Sequence, residues 1–199
     1  MRMTNKIAAF ALAASLPLGA IALAQPRESG ALPSDSVYQL PLKLTDQDGT
    51  VRAWRSFRGK PRLVSMFYTS CQYICPLIID AGKAVERSLT PIQLQRLGIV
   101  MISMDPARDS ATVLKETAAK RRLDTTRWSL VAPPAADVRA VAAVLGIRYR
   151  ELADGEFNHT SALVLLDADG RVLARTEQMG SRSDPEFLDA VRRATDGGP

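Results

Sequence analysis

Leu63-Val64-Ser65-Met66-Phe67-Tyr68 is a short, almost unbroken apolar run introduced by Gly59-Lys60-Pro61. A run this short and this apolar fits a strand buried on both faces, at the centre of a sheet covered by helices. Its carboxyl end narrows the choice further. Cys71-Gln72-Tyr73-Ile74-Cys75 follows, and after Pro76 a helical pattern runs from about Leu77 to Leu89. The two cysteines of the chain therefore fall at a strand-to-helix junction. In open α/β sheets, ligands gather outside the carboxyl ends of the strands, so this position favours chemistry over simple burial.

The rest of the chain repeats the alternation. A second apolar strand is expected at Ile99–Met104, ending at Asp105-Pro106, then a helix around Ser110–Arg122, a strand at Trp128–Val131 and a helix at Ala135–Leu145. Hairpin arms at Ala162–Leu166 and Val172–Thr176 flank the turn sequence Asp167-Ala168-Asp169-Gly170. A last helix spans Pro185–Arg193 with Asp184 as its N-cap. Before the central strand, alternation from Val37 through Leu44, the turn Asp46-Gln47-Asp48-Gly49, and Val51 with Trp54 read as an N-terminal hairpin. The expectation is an α/β fold, a thioredoxin-like mixed sheet flanked by helices, spanning residues 37–195.

The N-terminus carries Arg2 and Lys6, an apolar stretch from Ile7 to Leu23, and an Ala22-Leu23-Ala24 ending. This is the form of a secretory signal peptide of residues 1–24, cleaved after Ala24. The alternative is an uncleaved membrane anchor, although roughly 17 apolar residues interrupted by Pro17 and Gly19 sit at the lower limit for a span. Residues 25–36, rich in Pro, Gly and Ser, read as a flexible linker. About 175 residues then remain, enough for one domain with a sizeable core. Loss of Arg2 and Lys6 lowers the formal charge of +5 by two. The densest basic cluster, Lys115, Lys120, Arg121, Arg122 and Arg127, has no interleaved aromatics and reads as a solvated face rather than a nucleic-acid surface.

Cys71, Cys75 and the single histidine, His159, are the only thiol and imidazole groups of the chain. Proline disfavours helix in the residue before it and is accepted in the first helical turn, which makes Cys75 the expected helix cap and places both sulfurs where free N–H groups stabilise thiolates. Two such sulfurs close a disulfide or grip a soft cation such as Cu(I), and a third nitrogen ligand, which His159 can supply, helps retain oxidised copper. The spacing alone does not choose. A structural disulfide and a hydrogen-bonded loop histidine are the plainer readings. Met66, Met101, Met104 and Met179 are possible soft ligands, but Met66 and Met101 lie inside apolar strands and read as core. No Gly-rich phosphate loop, Gly-x-Ser-x-Gly elbow or His-Glu-x-x-His helix is present in the sequence.

Phe67-Tyr68-Thr69-Ser70-Cys71-Gln72-Tyr73-Ile74-Cys75-Pro76, then Ser103-Met104-Asp105-Pro106-Ala107-Arg108-Asp109, then Asn158-His159-Thr160, in that order, resemble the SCO/SenC family. The resemblance covers nearly all of the mature chain. It implies a thioredoxin-like fold and copper, Cu(I) or Cu(II), held by Cys71, Cys75 and His159. The implied function is that of a periplasmic metallochaperone, which hands copper on for assembly of the CuA centre of cytochrome c oxidase without turning over a substrate. The implied partners are the oxidase subunit carrying CuA, a copper donor protein and a periplasmic thiol reductant, with a monomer expected. Some members are credited with thiol-disulfide exchange, in which Cys71 and Cys75 would be a catalytic pair forming a reversible disulfide. A peroxidase reading, prompted by Thr69-x-Cys71, ranks behind both. Where the family commonly has Asp before the histidine this chain has Asn158, and the residues between its cysteines, Gln72-Tyr73-Ile74, are bulkier than usual. The first change is expected to alter the charge at the copper, the second the docking of partners.

Overall fold

In a computed structural model that describes residues 30–197, the apolar runs become the middle of a seven-stranded sheet. The strands are β1 (Lys43–Asp46), β2 (Val51–Ala53), β3 (Arg62–Phe67), β4 (Gly98–Ser103), β5 (Trp128–Ala132), β6 (Tyr149–Glu151), β7 (Phe157–His159), β8 (Leu163–Leu166) and β9 (Val172–Thr176). The large sheet runs β2-β1-β5-β4-β3-β8-β9, while β6 and β7 form a separate antiparallel ribbon. β3, β4 and β5 are parallel; β8 returns antiparallel to β3 and pairs with β9, and β1 lies antiparallel to β5.

Five α-helices join and flank these strands: α1 (Ile74–Arg87), α2 (Pro91–Arg96), α3 (Ala111–Lys120), α4 (Val138–Val144) and α5 (Pro185–Thr195). Every residue of β4, and all of β3 beyond Arg62, is buried, as a strand covered on both faces requires. Their caps follow side-chain chemistry. Ser110 accepts from the Val113 N–H at α3, Asp184 from the Glu186 and Phe187 N–H groups at α5, and Thr90 with Gln93 forms a capping box at α2. Among the described residues no helix is long and apolar enough to cross a membrane.

Two expectations are corrected here. The alternation beginning at Val37 is not a strand: Val37–Gln39 is a 3-10 turn, and the hairpin starts at Lys43. Val37 and Tyr38 are buried because Trp54 holds the turn from below, its indole N–H donating to the Val37 carbonyl and its ring meeting Tyr38 edge-on at 5.0 Å. Alternating apolar residues there report burial under a tryptophan rather than a pleat. The stretch 25–36 also gives way to the fold earlier than expected. The compact unit begins at Ala31, and Ser36 is buried with its hydroxyl donating to the Asp169 carbonyl at 2.5 Å. The signal-peptide region, 1–24, lies outside the described residues.

Candidate functional site

Beyond Phe67 the chain leaves β3 through Tyr68-Thr69-Ser70, reaches Cys71 and enters α1 at Ile74. Asp109 fixes this turn. Its carboxylate accepts from the Thr69 N–H at 3.2 and 3.3 Å, from the Thr69 hydroxyl at 2.5 Å and from the Ser103 hydroxyl at 2.6 Å. Ser103 is the last residue of β4, so one buried carboxylate joins the ends of two neighbouring strands beside the cysteines. Burial pushes this carboxyl up, and its hydrogen bonds to Ser103 and Thr69 only partly offset that rise.

Cys71 and Cys75 are both free thiols, 9% and 3% exposed. The expectation that Cys75 caps the helix is corrected: α1 begins at Ile74, its N-cap is Tyr73 with no side-chain cap, and Cys75 lies one residue inside. The capping acceptor is the sulfur of Cys71, which receives the Cys75 N–H at 3.4 Å. The two thiols therefore do not ionise alike. Burial opposes the Cys71 thiolate, but the N–H groups of Cys75 and Tyr73 and the side chains of Cys75 and Tyr68 outweigh it and lower this pKa. Burial drives the Cys75 thiol up; the Tyr68 N–H, which donates to its sulfur at 3.5 Å, acts in the opposite sense, and the Cys71 and Asp109 charges add to the rise. Iodoacetamide should thus modify Cys71 well before Cys75 in the reduced protein, as mass spectrometry of the two peptides can follow. Equal rates would contradict the asymmetry.

His159 ends β7, in a ribbon rather than the loop expected from sequence. Tyr68 connects that ribbon to the cysteines. Its ring meets His159 edge-on at 6.0 Å and Phe157 at 5.2 Å, and its hydroxyl donates to Glu156 at 2.9 Å. Arg108 holds the ribbon from the other side, bonding Asp105 and the Gly155 carbonyl and lying 6.0 Å from the Phe157 ring. The His159 Nδ1 lies 3.2 Å from the Thr160 carbonyl, which can only accept, so Nδ1 carries the proton and Nε2 keeps its lone pair. That Nε2 is buried and has no partner among the described residues. The structure thus brings Cys71 and Cys75 into one hydrogen-bonded turn and sets His159 against the Tyr68 ring. Among the described residues no three His, Cys, Asp or Glu side chains are close enough together to hold a metal ion.

Burial lowers the His159 pKa below its ordinary 6.5, and the bond to the Thr160 carbonyl only partly opposes this. A depressed pKa stabilises the fold above the unfolded value and loses that contribution as pH falls through the folded one. Urea midpoints at about pH 7.5 and about pH 5.5 should therefore fall further for the wild type than for His159→Asn. A variant as acid-sensitive as the wild type would remove His159 from this role.

The sequence did not single out Tyr68, Glu156 or Arg108 by role. Tyr68 and Arg108 sit inside the quoted motifs, but Glu156 has no local signal because its partner is far away in the chain. Asn158 is exposed in β7 and paired in register with Arg150, whereas its neighbours Phe157 and His159 are half-buried. Strand alternation turns it to the opposite face from His159, which removes the ground for expecting it to tune a metal there. Asn158→Asp should leave a copper reduction potential unchanged by voltammetry. Tyr73 is 87% exposed beside the cysteines, and Met66, Met101 and Met104 are buried core.

The model of the SCO1/SenC family matches residues 31–195. An SCO1 protein homolog from Bacillus subtilis (strain 168) is 24% identical over 158 residues, which make up 78% of this chain and 81% of the homolog. The structure of Bradyrhizobium japonicum ScoI with copper bound superposes with a TM-score of 0.60 at 23% identity, over 77% of this chain and 97% of that one. BsSco, described as a member of the Sco family of cytochrome c oxidase assembly proteins with a disulfide switch, gives 0.63 at 22% identity over 79% and 93%. These likenesses establish the thioredoxin-like fold.

Proposed function

The chain belongs to the SCO1/SenC family; from that premise we propose that it is an exported, periplasmic copper metallochaperone serving assembly of the CuA centre of cytochrome c oxidase. One observation carries the reading. Two free thiols share a hydrogen-bonded turn at the start of a helix, while the only imidazole, against the Tyr68 ring, keeps a deprotonated Nε2 with no partner among the described residues. Copper is the cargo. Cys71 and Cys75 supply two thiolates, enough for Cu(I), and binding of copper offsets the cost of ionising the buried Cys75. His159 joins when the β6–β7 ribbon brings it to the sulfurs, and its nitrogen favours retention of Cu(II). The copper bound to the Bradyrhizobium japonicum relative and the assembly role of the family to which BsSco belongs support the same assignment.

Reduced protein should take up one copper, and His159→Ala should still bind Cu(I), more weakly, while losing the thiolate-to-Cu(II) charge-transfer absorption. An unchanged Cu(II) spectrum would take His159 out of the site. The unequal thiols favour a second reading. A Cys71 of lowered pKa beside a more deeply buried Cys75 of raised pKa is the arrangement of an attacking and a resolving cysteine in thiol-disulfide exchange. Catalysed reduction of a dithiol substrate's disulfide, without copper uptake, would favour that alternative.

A further inference from the structure

At the other end of the sheet from the cysteines, a cavity of about 290 Å³ opens beside the starts of β3 and β5. β3 rises about 3.3 Å per residue, which puts Arg62 roughly 17 Å from Phe67 and this cavity well away from the copper site. Lys60 and Arg62, both half-buried, line it. Neither has a carboxylate within ion-pairing distance among the described residues.

Two carboxylates, Asp46 and Asp48, line the same cavity, and both are already matched. Asp46 pairs with Arg52 at 2.6 Å and accepts the Asp48 and Thr50 N–H groups, and Asp48 pairs with Lys115 at 3.0 Å. Arg62 is held in place by its Nε bond to the Phe57 carbonyl at 2.9 Å, by the Phe57 ring at 5.4 Å and by Gly98, where a Cβ would collide with its Nη1. Ser129, half-buried, and the exposed Ser56 and Thr125 also line the cavity. Two half-buried cations with no carboxylate in ion-pairing reach among the described residues, beside the half-buried Ser129 hydroxyl, form a donor set suited to an anion.

We propose that this cavity binds a small oxyanion of the phosphate class, with Lys60 and Arg62 supplying the charge and the Ser129 and Thr125 hydroxyls supplying neutral donors. Arginine presents a fixed planar fork to such an ion and lysine a mobile point charge, so the pair can hold it from two sides. Burial, Arg62 and Arg127 together lower the Lys60 pKa, a repulsion that a bound anion relieves. The same chemistry is offered by free phosphate and by a phospholipid headgroup.

Titration of the whole mature protein with inorganic phosphate, followed by phosphorus NMR at constant ionic strength, tests the proposal. The expected dissociation constant is about 1 mM or tighter, weakened about tenfold in Lys60→Gln and restored in Lys60→Arg. Ser129→Ala should weaken it less, and copper uptake should be unchanged in all three variants. Co-sedimentation with phosphatidylglycerol vesicles forms the second arm. Lys60-dependent vesicle binding without free-phosphate binding keeps the site and assigns it to headgroups. Absence of both, or binding that survives undiminished in Lys60→Gln and Ser129→Ala, would overturn the proposal.

Discussion

Asp109→Ala lowers the free energy of unfolding by about 2–4 kcal/mol and speeds alkylation of Cys75. The first effect follows from what the carboxylate holds. Its removal leaves the Thr69 N–H and the Thr69 and Ser103 hydroxyls without their acceptor in a buried site, at about 1–3 kcal/mol for each group that finds no substitute. Hydroxyls can turn to other acceptors and water can enter the space, and the buried charge was itself costly, so the total stays below the sum. The second effect follows from charge. Asp109 adds to the elevation of the Cys75 pKa, and its loss brings that thiol down. Asp109→Asn should keep most of the stability and still make Cys75 more reactive. Denaturant unfolding and thiol trapping on the two variants check both effects, and a Cys75 rate unaltered in both would break the link between this carboxylate and the cysteines.

Trp128→Ala should cost more, about 3–5 kcal/mol. Trp128 in β5 is fully buried, and its ring tip lies against Gly82 in α1, where an added Cβ would come within 2.6 Å. The glycine is there because the indole leaves no room for a side chain, and through it the helix that carries Cys75 is set on the sheet. Gly82→Ala should therefore cost about 1–3 kcal/mol by overpacking. Against Trp128→Phe, whose shorter ring withdraws the colliding atoms, the same substitution should cost clearly less, since contacting residues are not additive. Urea unfolding of the four proteins gives the coupling. Additive costs would mean that the contact does not determine the packing of α1.

The elements that sequence reveals best here are those whose residues carry the signal themselves. β3 and β4 are apolar throughout, and Asp184-Pro185 announces the start of α5 by capping chemistry. Both cysteines were placed at the junction of β3 and α1 because strand and helix meet within a few residues. What escaped depends on partners distant in the chain. The β6–β7 ribbon has three-residue strands with no clean alternation, and it exists because Tyr68, Glu156 and Arg108 tie it down. The short helix α2 was hidden between the end of one helical pattern and the next strand, although Thr90, Pro91 and Gln93 spell its capping box. The inequality of the two thiols was also invisible. Pro76 implies that both sulfurs share a helix terminus, whereas the fold gives the Cys75 and Tyr73 N–H groups to Cys71 and buries Cys75 more deeply.

The central claim is that Cys71 and Cys75 hold one copper ion between them. Supporting groups around a metal typically alter affinity about 10–100-fold, so removal of a true ligand from a two-thiolate site must exceed that range. Competitive titration of the fully reduced protein with Cu(I) against a chromophoric chelator measures it directly, alongside Cys71→Ser and Cys75→Ser. The account predicts one tightly held Cu(I) per chain, and a loss in each serine variant larger than about 100-fold. Tight, stoichiometric binding that persists in either single-cysteine protein would contradict it.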